Sequence, residues 1–150
     1  MSAMKRYTPS RNGDRRLKIM IVDDSLEHSL FVNDLLSPFG MCDMAINGED
    51  ALECIESALS LKYPYDLILL DVMMPGMDGR VVLQTIRAME KKYDMTGADE
   101  AVIIMVSVLD SPDAVTESFF KGYCTDYLAK PITRNILLEK LVEYQLVIDF

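Results

Sequence analysis

Apolar and polar positions along the 150-residue chain alternate between two periods. "LKIMIV", Leu17–Val22, is an apolar run with β-branched residues that stops on acids, and it predicts a first strand. Behind it, "LEHSLFVNDLLSPFG" sets Leu26, Leu30, Phe31, Leu35 and Leu36 at helical spacing, with Ser25 placed to cap the helix and Pro38 and Gly40 as stop signals. "MCDMAIN" alternates and predicts a weaker second strand. "GEDALECIESALS" puts Ala51, Leu52, Ile55 and Leu59 on one helical face. "YDLILLDV" is unbroken in its apolar character and predicts a third strand covered on both faces. A third helix is predicted over "DGRVVLQTIRAMEKKY", with Asp78 as its N-cap, then a polar loop, "DMTGADE", and a fourth strand in "AVIIMVSV". "SPDAVTESFFKG" predicts a fourth helix with Ser111 as cap and Pro112 at its first position. "CTDYLAK" predicts a fifth strand, and "TRNILLEKLVEYQL" a last amphipathic helix capped by Thr133.

Five strand–helix pairs without internal repeat predict an α/β domain with a doubly wound parallel sheet covered on both faces. In such sheets ligands sit beyond the carboxyl ends of the strands. Those ends carry Asp23 and Asp24 after the first strand, Asp71 after the third, Ser107 after the fourth and Lys130 after the fifth, while the second offers only Asn47. Alone, each such residue is commonly a cap or a solvated surface group. Gathered at one edge they form a chemical set.

Crowded carboxylates repel and drive one another toward protonation unless a counter-charge is present. A Mg²⁺ ion, which takes oxygen ligands and keeps several waters, supplies one and leaves room for a phosphoryl oxygen. Lys130 adds a mobile cation of the kind that binds phosphate, and Ser107 a hydroxyl donor. A carboxylate can attack phosphorus to give an acyl phosphate. The set suits phosphoryl transfer to an aspartate.

Composition changes this picture little. Lys5, Arg6, Arg11, Arg15, Arg16 and Lys18 face only Asp14, so residues 1–17 read as a basic, disordered arm and 18–150 as the domain; the rest is strongly acidic within a net charge of −9. An acidic body disfavours nucleic acid and anionic lipid. Cys42, Cys54 and Cys124 are odd in number and widely spaced, and read as reduced, mostly buried thiols rather than a disulfide frame or zinc site. No signal peptide or membrane-spanning run is evident, which predicts a cytoplasmic protein.

"IMIVDDS", "LILLDVMMPGMDG", "IIMVS" and "DYLAKP" together resemble the receiver domain of two-component response regulators, over roughly Lys18 to the C-terminus. The resemblance implies a flavodoxin-like (βα)5 fold with strand order 2-1-3-4-5. It implies that Asp71 accepts a phosphoryl group from the phosphohistidine of a sensor histidine kinase or a histidine phosphotransfer protein. Asp24 would bind Mg²⁺ directly and Asp23 largely through water, and the metal set would comprise Asp23, Asp24, Asp71 and the backbone carbonyl of Met73. Lys130 would pair with the phosphoryl group, and the Lys130–Pro131 bond would be cis. Ser107 and Tyr127 would switch together and reshape the face of the fourth helix, fifth strand and fifth helix, toward an output protein or a phosphorylation-dependent homodimer. Such a module is not an enzyme on external substrates; it catalyses only its own phosphotransfer and slow aspartyl-phosphate hydrolysis.

The chain departs from the family pattern in places. Val108 stands where Ala or Gly is usual, which predicts hindered access to the phosphoryl group, and apolar Met73 and Leu109 predict a long-lived phosphorylated state. "KKYDMTGADE" is longer than usual and "KGYCTDY" carries one extra residue. His28 reads as a surface residue near a kinase contact, and Met73, Met74 and Met77 as core filling or an adaptable docking surface. Two other functions compete: a phosphatase with an aspartyl nucleophile, disfavoured because Met73 stands where a second acid belongs and no cap is present, and a degenerate receiver acting as a phosphorylation-independent scaffold. No DNA-binding or catalytic output domain is expected within the chain.

Overall fold

The computed structural model describes residues 16–107 and 123–147. The predicted fourth helix, Val108, Leu109 and most of the basic arm lie outside the described residues. Five strands are present: β1 (Leu17–Val22), β2 (Gly40–Ala45), β3 (Leu67–Asp71), β4 (Val102–Ser107) and β5 (Asp126–Ala129). They form one parallel sheet in the order β2-β1-β3-β4-β5. Among the described residues four α-helices join them: α1 (Leu26–Leu36), α2 (Gly48–Ser60), α3 (Gly79–Lys92) and a C-terminal helix (Arg134–Glu143).

Strand side chains alternate between faces, and the core divides accordingly. Leu17, Ile19, Ile21, Leu67, Leu69, Val102, Ile104 and Val106 pack with Val32 and Leu36 of α1 and Leu137, Leu138 and Leu141 of the C-terminal helix. Met20, Val22, Ile68, Leu70, Ile103 and Met105 pack with Ala51, Ile55 and Leu59 of α2 and Val82, Leu83 and Ile86 of α3. All five residues of β3 are buried, as its apolar run predicts for a strand covered on both faces.

Three of the four predicted caps hold, and the fourth, Ser111, lies outside the described residues. Ser25 accepts from the His28 N–H, Asp78 Oδ1 from the Arg80 N–H at 2.7 Å, and Thr133 from the Ile136 N–H. Asn47, the group offered by the second strand, caps α2 instead of facing the site, accepting from the Asp50 N–H at 2.7 Å. The polar loop before β4 contains a 3-10 turn over Gly97–Asp99.

The helical face of α1 is a correction. Leu26, Leu30 and Phe31 are exposed, while Ser29, Val32 and Leu36 turn inward. The helix is apolar around most of its circumference, so spacing alone did not distinguish the core stripe from its neighbour. The cysteines also differ from expectation: Cys124 is buried, but Cys42 is half-buried and Cys54 exposed. Burial and the Asp43 charge push the Cys42 thiol up to about 11.

At the amino end of the sheet, α3 is tied to two strands by a buried ion pair. Arg87 Nη1 lies 2.7 Å from Glu90 Oε1 and donates to the Ala101 carbonyl at 2.9 Å; Arg87 Nε donates to the Tyr123 carbonyl at 2.7 Å. Glu90 Oε2 in turn accepts from the Ala101 N–H at 2.7 Å.

Candidate functional site

At the opposite, carboxyl end three carboxylates meet. Parallel pairing brings the ends of β1 and β3 side by side, with Val22 opposite Leu70, so Asp23 and Asp71 emerge next to each other. Ligand oxygens of Asp23, Asp24 and Asp71 all lie within 4.8 Å of one another, with Asp23 and Asp71 buried and Asp24 exposed. Ser107 ends β4 opposite Ala129 of β5, and its carbonyl accepts from the Lys130 N–H at 2.7 Å. This contact fixes the backbone from which Lys130 reaches across. Its Nζ lies 3.0 Å from Asp23 Oδ2 and 3.3 Å from Asp71 Oδ2. The Lys130–Pro131 peptide is cis.

The loop after β3 is shaped by two glycines. Gly76 has φ +87°, which favours glycine. A Cβ on Gly79 would stand 2.3 Å from the Asp71 carbonyl oxygen, so only glycine lets α3 start against the end of β3. The Met73 N–H donates to Asp71 Oδ1 at 3.1 Å. Met73 is exposed, but Met74 and Met77 turn inward against the core. Met74 is thus core filling, Met77 is half-buried against the core, and Met73 is the one of the three that is exposed.

Burial raises the Asp71 carboxyl above the ordinary range; Lys130 and the Met73 N–H oppose this, and the neighbouring Asp23 charge reinforces it. Burial acts the same way on Asp23, but there the Ser25 N–H, Lys130 and His28 outweigh it and hold the carboxyl below its ordinary range. Lys130 is held above its ordinary range: burial would lower it, but the two carboxylates win. Two neighbouring acids thus have their affinities for protons pushed apart. Tyr127, in β5, is 47% exposed.

His28 was misjudged as a surface residue. Its Nδ1 lies 2.6 Å from Asp23 Oδ2, and its side chain is 19% exposed. A signal was present: His28 is the third residue of α1, where side chains point back toward the preceding loop and thus toward Asp23.

The doubly wound parallel sheet thus carries an acidic pocket at its carboxyl edge, with Lys130 reaching in from the end of the last strand. The family model for the response regulator receiver domain matches residues 19–142, and the chain belongs to that family. It is 33% identical over 126 residues to the transcriptional regulatory protein HprR of Escherichia coli, covering 83% of this chain and 50% of HprR. It is 27% identical over 126 residues to the chemotaxis protein CheY of Treponema pallidum, covering 83% of this chain and 79% of that protein. Among solved structures, a chain of the CheX–CheY–BeF3–Mg²⁺ complex of Borrelia burgdorferi superimposes with a TM-score of 0.73 at 26% identity, covering 87% of this chain and 90% of that one. The chain thus spans about half the length of HprR and most of CheY. It is a receiver domain of two-component signalling. No helix among the described residues is long and apolar enough to cross a membrane.

Proposed function

We propose that this receiver is a phosphorylation-controlled switch in which Asp71 takes a phosphoryl group from the phosphohistidine of a sensor histidine kinase or histidine phosphotransfer protein. The observation that carries this reading is the convergence of Asp23, Asp24 and Asp71, with Lys130 paired to the first and last of them. Three oxygen donors with too little positive charge among them fit a hard divalent cation that keeps some of its waters. Asp23, Asp24, Asp71 and the Met73 carbonyl would hold Mg²⁺, whose contribution is to neutralise charge on the phosphoryl oxygens.

The remaining work falls to the chain's own groups. An Asp71 carboxylate oxygen attacks phosphorus; a P–O bond forms as the donor's P–N bond breaks, and the leaving imidazole takes up a proton. The Met73 N–H, bonded to Asp71 Oδ1, steadies the carboxylate and leaves Oδ2 on the side of Lys130. Lys130, shared between Asp23 and Asp71, follows the charge onto the phosphoryl group. Ser107 donates its hydroxyl, Tyr127 turns inward from its exposed position, and the face beside β5 changes for an output partner or a second copy of the chain. Such a switch shifts an existing two-state equilibrium. The scaffold alternative has no use for this charge imbalance.

Incubation with acetyl phosphate and MgCl2 should add one phosphoryl group by intact mass, and EDTA or Asp71→Asn should abolish it. Uptake that persists in the Asp71→Asn variant removes Asp71 from its role. The Borrelia burgdorferi complex contains BeF3 and Mg²⁺, and the same pair serves as probe here. A scaffold would show no Mg²⁺-dependent change with beryllofluoride.

A further inference from the structure

The structure assigns His28 a role in this site: we propose that it is a positioning residue that fixes the Asp23 carboxylate for metal binding. The proposal rests on reading the acid pocket as a metal site. Asp23 Oδ1 accepts from the Ser25 N–H at 2.9 Å, and Oδ2 from His28 Nδ1 at 2.6 Å and from Lys130 Nζ at 3.0 Å. A carboxylate offers about four acceptor positions. Three are spent within the chain, and the orientation of the fourth follows from them.

The geometry comes from an altered capping arrangement. In a capping box the third helical residue is Glu or Gln, and its side chain returns to the N–H of the cap. Here Asp23 already holds the Ser25 N–H, and the third residue is His28. Its ring passes the cap and reaches the acid itself. A carboxylate only accepts, so the short Nδ1–Oδ2 contact assigns the ring hydrogen to Nδ1 as donor. The ring's other nitrogen, Nε2, is buried and has no hydrogen-bond partner among the described residues. The ring is therefore anchored through Nδ1.

Among the described residues that line the cavity beneath Asp23, His28 is the only side chain that can donate a hydrogen bond. The underside of the pocket is lined by Ile21, Val32, Leu69, Val106 and Ile132, around a cavity of about 10 Å³ that holds at most one water. Removing the His28 donor leaves Asp23 Oδ2 with Lys130 as its remaining partner and no donor on the α1 side, so the buried carboxylate loses a bond and one of the three contacts that set its direction. Partners that orient metal ligands typically change metal affinity by about 10- to 100-fold when removed.

Three substitutions separate the donor atom from the bulk of the ring. The Asn amide nitrogen sits as far from the backbone as His Nδ1, whereas the Gln amide nitrogen corresponds to Nε2. Titrating the full ¹⁵N-labelled chain with MgCl2 and following amide shifts around Asp24 and Met73 gives each dissociation constant. His28→Leu should weaken Mg²⁺ binding by about tenfold. His28→Gln should behave like His28→Leu, and His28→Asn should stay within about twofold of the unsubstituted chain. Unchanged or tighter binding in His28→Leu overturns the proposal, as does His28→Asn binding as weakly as His28→Leu. If His28→Leu does not fold, the contrast between His28→Asn and His28→Gln decides: recovery only in Asn supports the role, and equal affinities overturn it. Absence of Mg²⁺-dependent shifts in the unsubstituted chain fails earlier, overturning the metal reading itself.

Discussion

Charge is buried at both ends of the sheet, and the two burials differ in kind. At the amino end one guanidinium meets one carboxylate. Both side chains also bond the backbone, Arg87 donating to the Ala101 and Tyr123 carbonyls and Glu90 accepting from the Ala101 N–H. That pair is closed in charge, one cation against one anion. At the carboxyl end three carboxylates crowd together, Lys130 pairs with the two buried ones, Asp24 stays exposed, and the Asp71 carboxyl is raised by burial and by its neighbour. Buried charge alone does not mark a functional site; buried charge left unbalanced does.

The largest expected effect comes from breaking the closed end. Glu90→Ala strands Arg87 without its partner and should cost about 3–5 kcal/mol of stability by urea denaturation. A loss below about 1 kcal/mol would mean that this pair is not closed in the sense described. The open end should instead gain from what it lacks. MgCl2 at ten times its dissociation constant should stabilise the chain by about 1.4 kcal/mol, read as a shifted denaturation midpoint. An unmoved midpoint erases the contrast between the two ends.

Removing a charge from the open end should also help. Without metal, Asp71→Asn relieves a raised, repelled carboxylate and should increase stability by about 1 kcal/mol or less. A marked loss would show that Asp71 contributes to the fold as Glu90 does. The smallest effect lies in a partly exposed cluster near β5. Burial would raise the Asp126 carboxyl, but Lys140, 2.6 Å away, the Tyr144 hydroxyl and the Tyr127 N–H outweigh it and hold it low. A carboxylate whose folded value lies below its unfolded one contributes stability above the unfolded value, and that contribution is lost as pH falls through the folded one. Below about pH 4 the unsubstituted chain should lose stability more steeply than Asp126→Asn, measured by urea melts along a pH series.

How far the sequence could be read depended on how sharply each pattern excluded its alternatives. β1, β3 and β4 are short apolar runs ending in polar groups at an edge, so position and chemistry were both legible there. Asp78 was legible as a cap because it directly precedes a helical pattern. α1 was not, since Leu26, Leu30 and Phe31 imitate a core stripe on a helix whose inward face contains Ser29. His28 was missed because a lone histidine is judged by its surroundings, and those come from Asp23 across a turn. The Arg87–Glu90 pair leaves no trace either: a three-residue spacing of opposite charges on a helix usually means a solvated surface, and its burial depends on the chain returning at Ala101.

The sheet order has a mechanical consequence. β3 is flanked by β1 and β4, whereas β5 has a neighbour only on the β4 side among the described residues. Displacing the strand that ends at Asp71 means unzipping two ladders, and displacing the one that leads to Lys130 means unzipping one. Local opening follows the number of such bonds, so amide exchange should be slowest in β3 and faster in β5. Asp71 thus sits on the anchored part of the molecule, and Lys130 follows the strand that can yield.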